Sequence, residues 1–269
     1  MHLAIIGYGN IAQTAVAWLA HRPVARLTVL VRPARVAALE EDAALSKAAP
    51  RVSVVGTIDE LLQAKPDLVV ECAGNQFVAE HGPRILRAGH DLVLVSIGAL
   101  ADQQVADHLR LAAEAGSAQM ALPSGAIGGI DLLAALALAG DVQVSYRGTK
   151  PPAAWAGTRA EEVCDLSALT SPQVFFEGTA REAAMAYPKN ANVAATLALA
   201  GAGFDSTRVS LIADPAATGN QHAYEVSSPA GGFAMTIDNA ASAGNAKTSV
   251  ATVYSVLREI NRKRDAVMI

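Results

Sequence analysis

Gly7-Tyr8-Gly9-Asn10-Ile11-Ala12 separates a short apolar run at residues 2–6 from a helix-forming segment at 11–20. A GxGxxA pattern at such a junction is typical of the turn that binds the pyrophosphate of a dinucleotide. The first glycine allows the tight turn, the second leaves room for the pyrophosphate, and the N–H groups at the helix start attract its charge. An ordinary glycine-rich turn without a ligand is the alternative. The cofactor-binding residues predicted from this turn are Gly7, Gly9, Asn10 and Ile11.

The residues that follow continue the alternation of strand and helix. Short apolar runs predict strands at residues 2–6, 27–31, 52–55, 68–71, 92–96 and 118–122. Helix-forming segments fill the intervals at 11–20, 35–45, 58–62, 76–87 and 103–115. Continuous apolar runs of this kind suit a parallel sheet that is covered on both faces. We therefore expect residues 1–122 to form a dinucleotide-binding domain of the α/β class, with a Rossmann-type, doubly wound parallel sheet.

The sequence changes character after Leu122. A turn-rich segment, Pro123-Ser124-Gly125-Ala126-Ile127-Gly128-Gly129, precedes an apolar helix predicted at 130–139. Strands are predicted at 142–147, 208–213, 222–227 and 232–237, and helices at 182–186, 192–199 and 246–262. The hairpin-like spacing predicts a smaller α+β domain with a mainly antiparallel sheet at residues 123–242.

The composition excludes several classes of partner. The 269 residues are 52% hydrophobic and 17% charged, with a net charge of −4. A mildly acidic chain without a basic cluster offers no surface for nucleic acid or anionic lipid, so neither partner is expected. The apolar runs fall below the roughly 18 residues that indicate a membrane span. Cys72 and Cys164 have no metal-binding or redox spacing, so we expect no metal site and a reducing, cytoplasmic location.

Arg32 follows the second predicted strand, where an NAD-specific site usually has an acidic residue for the ribose hydroxyls. An arginine cannot accept those hydrogen bonds, but it can pair with a 2′-phosphate or stack on adenine. The alternative is a solvated cation at the end of a strand. We therefore predict that NADP is accepted alongside NAD. Residues 71–75 and 96–99 are expected to line the nicotinamide half of the site, with Cys72 as a small filler.

His222 is the only histidine of the second predicted domain, and it lies at the mouth of a strand. Histidine has the unperturbed pKa best suited to accept a proton from a hydroxyl or amine during oxidation. A lone histidine is often structural, so the pattern alone leaves both roles open. Three lysines in neighbouring motifs, Lys150, Lys189 and Lys247, are candidates for binding substrate carboxylates.

Several motifs occur together in one order along the chain. Besides the segments at 7–12 and 123–129, they are Lys150-Pro151-Pro152, Tyr187-Pro188-Lys189-Asn190-Ala191-Asn192-Val193-Ala194, Asn220-x-His222 and Lys247-Thr248-Ser249. At these residues the chain resembles the bacterial L-aspartate dehydrogenase family over nearly its whole length. The first motif is shared with many dehydrogenases, whereas the later set is far more specific.

The resemblance implies NAD(P)-dependent oxidation of L-aspartate to iminosuccinate. Hydrolysis of the imine gives oxaloacetate and ammonia, the imine can feed pyridine nucleotide biosynthesis, and reverse amination is equally implied. His222 becomes the catalytic histidine, and Ala126 and Asn190 become contacts to the dinucleotide. The resemblance also implies a homodimer, catalysis and dimerisation through residues 123–242, and a C-terminal helix within 243–269 that packs on the first domain.

Two other interpretations fit the same motifs. A related two-domain dehydrogenase, such as a relative of dihydrodipicolinate reductase or homoserine dehydrogenase, would act on another small carboxylate. A non-catalytic dinucleotide sensor would bind the cofactor without turnover, and His222 would then be structural. A panel of substrates separates the first alternative from the family interpretation, and the absence of any turnover identifies the second.

Overall fold

The computed structural model describes residues 1–188, 192–242 and 245–267, without the side chains of 241–242 and 245–248. The chain forms two compact units. Unit 1 contains Met1–Pro123 and Val253–Ile269, and unit 2 contains Ser124–Thr252.

Unit 1 is built on a six-stranded parallel sheet. Its strands are β1 (His2–Ile6), β2 (Arg26–Leu30), β3 (Val52–Val55), β4 (Leu68–Glu71), β5 (Leu92–Leu94) and β6 (Met120–Ala121). They are arranged in the order β3-β2-β1-β4-β5-β6, which confirms the predicted doubly wound sheet. The direction of winding changes between β1 and β4, and ligands of such sheets bind beyond the carboxyl ends of the strands at this point.

Helices occupy the intervals between these strands. They are α1 (Asn10–Leu19), α2 (Val36–Glu40), α3 (Ala43–Ala48), α4 (Ile58–Gln63), α5 (Asn75–Arg87) and α6 (Gln103–Gly116), with 3₁₀ turns at Pro33–Arg35 and Ile97–Ala101. The prediction of a single helix at 35–45 is wrong, because α2 ends at Glu40 and a separate helix, α3, begins at Ala43. The Asp42 carboxylate accepts a hydrogen bond from the Ala44 N–H at 2.8 Å and so starts a new helix.

Unit 2 contains a five-stranded sheet with short helices around it. The helices are α7 (Ile130–Ala137), α8 (Pro152–Trp155), α9 (Ala160–Val163), α10 (Ala180–Ala186) and α11 (Asn192–Ala200). The strands are β7 (Gln143–Lys150), β8 (Gln173–Thr179), β9 (Arg208–Ala213), β10 (Asn220–Ser228) and β11 (Gly231–Asn239), in the order β11-β10-β7-β9-β8. Only β7 and β9 run parallel among these neighbours, so the predicted, mainly antiparallel sheet is confirmed.

Strand β8 was not predicted from the sequence. Its register shifts between Val174 and Phe176, so Phe175 is an extra residue opposite β9. A bulge of this kind interrupts the alternation of buried and exposed side chains that identifies a strand. Phe175 instead packs against Trp155, with ring centroids 4.8 Å apart.

The final helix, α12 (Val250–Arg262), begins four residues later than the predicted start at 246. Residues 245–249 form a short strand, β13 (Asn245–Ser249), which pairs with β12 (Ala241–Ser242). Four apolar residues of α12 belong to the hydrophobic core that also contains residues of β1 and α1: Val253, Val256, Leu257 and Ile260. Within the described residues, no helix is long and apolar enough to cross a membrane.

Candidate active site

The predicted pyrophosphate turn connects β1 to α1. Gly7 has φ +82°, and a Cβ there would lie 2.9 Å from the Cys72 carbonyl oxygen, so this position requires glycine. Gly9 has φ −93° and would place a Cβ where no other atom lies within 4 Å. Glycine also has no side chain to cap α1, whose first N–H groups have no partner within the helix. Open space beside these donors fits a bound pyrophosphate.

The Glu71 carboxylate lies at the end of β4 and is 1% exposed. Its Oε1 accepts hydrogen bonds from the Ala73 and Gly74 N–H groups at 2.6 and 2.7 Å and from the Ser96 hydroxyl at 3.0 Å. Its Oε2 accepts a hydrogen bond from the Ser96 N–H at 3.0 Å. Glu71 therefore fixes the loops that follow β4 and β5, both of which were expected to line the nicotinamide half of the site.

Two other sequence-predicted residues of unit 1 lie near the same edge of the sheet. Burial, together with the Glu71 carboxylate, raises the pKa of the Cys72 thiol, which is therefore protonated and is not a nucleophile. Arg32 is exposed and lies two residues beyond the end of β2, the strand next to β1. Its side chain is accessible to a ligand at the carboxyl edge of the sheet.

His222 is 3% exposed on the covered face of the sheet in unit 2. Its Nδ1 lies 2.8 Å from the hydroxyl oxygen of Tyr146, which is also buried. Burial, and secondarily the charge of Lys150, lowers the pKa of His222 to about 3. Burial also raises the pKa of Tyr146. At neutral pH both side chains are therefore uncharged, and the imidazole can act as a base.

Lys150, the last residue of β7, is 5% exposed. Its Nζ lies 5.0 Å from the centroid of the Trp155 ring, a distance that allows a cation–π interaction. The Trp155 indole N–H donates to the Ile212 carbonyl at 3.0 Å, which fixes the ring. A buried ammonium beside a neutral imidazole is suited to bind a carboxylate.

The turn-rich segment at 124–129 is held against the sheet of unit 2 by side chains of two strands. Asn239, on β11, donates from Nδ2 to the carbonyl of Ala126 at 2.8 Å. Tyr224, on β10, donates from its hydroxyl to the carbonyl of Gly128. The backbone around Ala126 is therefore in a fixed position.

The structure brings together some of the predicted site residues but does not place all of them. His222 and Lys150 meet in unit 2, whereas Lys189 and Asn190 lie outside the described residues. The backbone of Lys247 is in β13, but its side chain is not among those described. Sequence reasoning did not identify Tyr146 as a site residue, and it placed Glu71 in the segment 71–75 along the nicotinamide half of the site without giving its carboxylate a role. The only signal for Glu71 was an acidic residue at the end of an apolar strand.

A doubly wound parallel sheet with a glycine-rich turn after its first strand, and a second domain with a buried histidine and lysine, fit the class of NAD(P)-dependent dehydrogenases. Residues 7–123 match a family model described as the NAD binding domain of homoserine dehydrogenase, and residues 131–263 match the model of the C-terminal part of aspartate dehydrogenase. The L-aspartate dehydrogenase of Ruegeria pomeroyi is 46% identical, covering 99% of this chain and 94% of its own length. That of Cupriavidus taiwanensis is 44% identical over the full length of both chains. The chain therefore belongs to the L-aspartate dehydrogenase family.

Solved structures agree with this assignment. The aspartate dehydrogenase of Thermotoga maritima is 27% identical, with a TM-score of 0.77, and the match covers 100% of this chain and 99% of that one. A dihydrodipicolinate reductase from Paenisporosarcina sp. has a TM-score of 0.52 at 15% identity, covering 97% of this chain and 94% of that one. The second likeness concerns the fold alone.

The open space at Gly9 leads to a prediction about cofactor binding. Gly9→Ala adds a methyl group that meets no protein atom but occupies the approach of the pyrophosphate. We expect NADPH affinity, measured by fluorescence titration, to fall about tenfold or more, which corresponds to at least ~1.4 kcal/mol. The thermal unfolding midpoint should stay unchanged. Gly7→Ala is the contrasting variant, because strain and a backbone clash should lower its unfolding midpoint. Unchanged NADPH affinity in Gly9→Ala would contradict this assignment.

The buried imidazole predicts a loss of stability in acid. Because the pKa of His222 is lowered from 6.5 to about 3 on folding, only the unfolded chain takes up this proton between those values. The contribution of His222 to stability is therefore complete above pH 6.5 and decreases as the pH falls. Between pH 7 and 5 the loss from this group should be about 2 kcal/mol.

Urea unfolding of the wild type and His222→Asn at pH 7 and pH 5 measures this loss. Between pH 7 and pH 5, the unfolding free energy of His222→Asn should fall by about 2 kcal/mol less than that of the wild type. Replacement of the exposed His21 by Asn is the control and should retain the loss seen in the wild type. An equal loss in the wild type and His222→Asn would show that His222 is not held neutral by the fold.

Proposed function

We propose that this chain oxidises L-aspartate to iminosuccinate with NAD⁺ or NADP⁺, and that hydrolysis of the imine releases oxaloacetate and ammonia. The reverse amination uses the same groups. The observation that carries the proposal is the buried pair of a neutral imidazole, His222, and an ammonium group, Lys150, in a chain of the L-aspartate dehydrogenase family. The first group suits removal of a proton from an amine, and the second suits recognition of a carboxylate.

The dinucleotide would be held mainly by backbone and amide groups. Gly7, Gly9, Asn10 and Ile11 supply the pyrophosphate turn, and Ala126 and Asn190 are the proposed contacts towards the nicotinamide. When bound, the oxidised nicotinamide accepts a hydride. Glu71 contributes indirectly, since its hydrogen bonds keep the loops after β4 and β5 in one arrangement. The exposed Arg32 would contact the adenosine half of the cofactor.

His222 acts as the general base in this proposal. The imidazole is held by a hydrogen bond with the Tyr146 hydroxyl. It takes a proton from the substrate amino group while the Cα–H bond breaks with its electron pair and the C=N bond forms. In the second stage His222 first returns this proton to the imine nitrogen, then removes a proton from the water that adds to the imine carbon and passes it to the same nitrogen. The C–N bond then breaks, and nitrogen leaves as ammonia.

Lys150 is the proposed partner of a substrate carboxylate. Its Nζ is buried against Trp155 and lies close enough to His222 to lower the pKa of the imidazole. A dicarboxylate offers two such groups, so Lys189 and Lys247 remain candidates for the second.

The two parts of the chain have different roles in this proposal. Residues 1–122 bind the dinucleotide, and residues 123–242 carry the catalytic groups and the contacts of a homodimer. The family resemblance supports the dimer, and two free cysteines are compatible with a reducing cytoplasm. The imine product would supply pyridine nucleotide biosynthesis before it hydrolyses.

Reduction of NAD⁺ and NADP⁺, followed by absorbance, tests the activity with L-aspartate against D-aspartate, L-glutamate and L-homoserine. We expect turnover with L-aspartate only. His222→Ala should lower kcat by about 10²–10⁴-fold with NADPH affinity nearly unchanged. Lys150→Met should act mainly on the KM for L-aspartate, because it removes a charge that binds the substrate. A kcat near that of the wild type in His222→Ala would overturn the role of this residue, and turnover of another substrate alone would overturn the proposed activity.

The exposed charge of Arg32 predicts the cofactor preference. Arg32→Asp removes a cation that can pair with the 2′-phosphate and adds an acceptor for the ribose hydroxyls. The ratio of kcat/KM for NADP⁺ to that for NAD⁺ should fall about 10–100-fold, the range expected for one lost charge-assisted hydrogen bond. Arg87→Asp, which makes the same charge change at the end of α5, is the control. An unchanged ratio in Arg32→Asp would show that this residue does not contact the phosphate.

A further inference from the structure

The hydrogen bond between Tyr146 and His222 depends on the register of two adjacent strands. Tyr146 and Gly148 lie two residues apart on β7, so both side-chain positions are on the same face. In the pairing of β7 with β10, His222 is opposite Gly148, whereas Tyr146 is opposite Tyr224. The Tyr146 side chain must therefore extend diagonally across position 148 to reach the imidazole.

Gly148 provides the space for this diagonal contact. A Cβ at position 148 would lie 2.6 Å from the Tyr146 hydroxyl oxygen and 3.1 Å from its Cζ. The first distance is shorter than real Cβ atoms show and the second is tighter than most, so any other residue would push the phenol away from His222. Gly148 is not among the glycines with positive φ, so its backbone conformation does not require glycine. Glycine is required at this position by the close contact with the Tyr146 side chain.

The direction of the hydrogen bond between Tyr146 and His222 determines which ring nitrogen can act as a base. Burial keeps the Tyr146 phenol protonated, so it can donate a hydrogen bond to Nδ1 or accept one from it. If the phenol donates, the single proton of neutral His222 is on Nε2, and that nitrogen cannot act as a base. If the phenol accepts from the Nδ1 N–H, the lone pair of Nε2 is available. When the imidazole then takes up a proton, the same acceptor still serves the Nδ1 N–H.

We propose that Tyr146 is a positioning residue that holds His222 with its proton on Nδ1, and that Gly148 is required because it lets the phenol reach the imidazole. The proposal rests on the general-base role of His222 given above. It adds the identity of the basic atom, Nε2. It also adds two residues, Tyr146 and Gly148, that act through His222 and do not themselves touch the substrate.

The tautomer can be read directly from the enzyme labelled with ¹⁵N-histidine, because protonated and unprotonated ring nitrogens give separate NMR signals. The signals of His222 are those lost in His222→Asn. In the wild type near pH 7.5 we expect a protonated Nδ1 and an unprotonated Nε2. In Tyr146→Phe we expect a mixture of the two tautomers, since Nδ1 has lost its partner.

Kinetics with L-aspartate form the second readout. Tyr146→Phe should lower kcat about 10–100-fold, the usual cost of removing a group that orients a functional histidine. The KM for L-aspartate and the affinity for NADPH should remain within about twofold of the wild type, because binding groups are untouched. Tyr254→Phe, which removes a hydroxyl from an exposed side chain, is the matched control and should behave as the wild type.

Gly148→Ala tests the same contact without removing the hydroxyl. The added methyl group should displace the phenol and produce the same mixed tautomers and the same direction of change in kcat. Because both substitutions break the same hydrogen bond, the double variant should be no less active than the less active of the two single variants. Additive losses would show that the two residues act separately.

Two results would overturn the proposal. One is a wild-type enzyme in which Nε2 carries the proton. The other is a Tyr146→Phe variant that keeps the wild-type tautomer and a kcat within about twofold of the wild type. If the wild type fails to oxidise L-aspartate, the proposed function is wrong, while the NMR comparison of the wild type and Tyr146→Phe still decides the tautomer.

Discussion

A buried polar group without a hydrogen bond is costly, and both candidate functional regions of this chain contain a buried polar side chain that is hydrogen-bonded. In unit 1 the buried Glu71 carboxylate accepts four hydrogen bonds from the loops after β4 and β5. In unit 2 the buried His222 imidazole has Tyr146 as its partner. In each case a partnered polar side chain fixes the geometry of the region around it.

Burial of His222 has opposite consequences for stability and for catalysis. The imidazole is neutral at pH 7, which is the state that a general base requires. The same burial means that acid favours the unfolded chain, because only that state can take up the proton. Lys150 is also buried, with its Nζ over the Trp155 ring.

The sequence contains strong signals for the regular elements and weak ones for contacts between strands. The apolar runs at His2–Ile6, Val52–Val55 and Leu68–Glu71 match β1, β3 and β4 residue for residue. In the central strands β1 and β4 the signal is strong because a strand covered on both faces is mostly apolar. Strand β8 was missed because a bulge at Phe175 breaks the alternation. The helix predicted to start at 246 starts at Val250, since the preceding residues pair as a strand.

The candidate site shows the same division. His222 could be singled out by its isolation in the second half, and Lys150 by its proline-rich motif. Tyr146 and Gly148 could not, because their relation to His222 depends on which residues of β7 face which residues of β10. That register comes from turn geometry and packing over the whole sheet, and local sequence does not encode it.

The most direct test is the protonation state of His222 in the folded enzyme, measured by NMR of the ¹⁵N-histidine-labelled protein between pH 8 and pH 5. An imidazole with a pKa of about 3 keeps one unprotonated ring nitrogen across this whole range. That result would establish a buried, neutral base. A titration with a midpoint near 6.5, the ordinary value for histidine, would contradict it and would mean that His222 is open to water and lacks the environment on which the proposed chemistry depends.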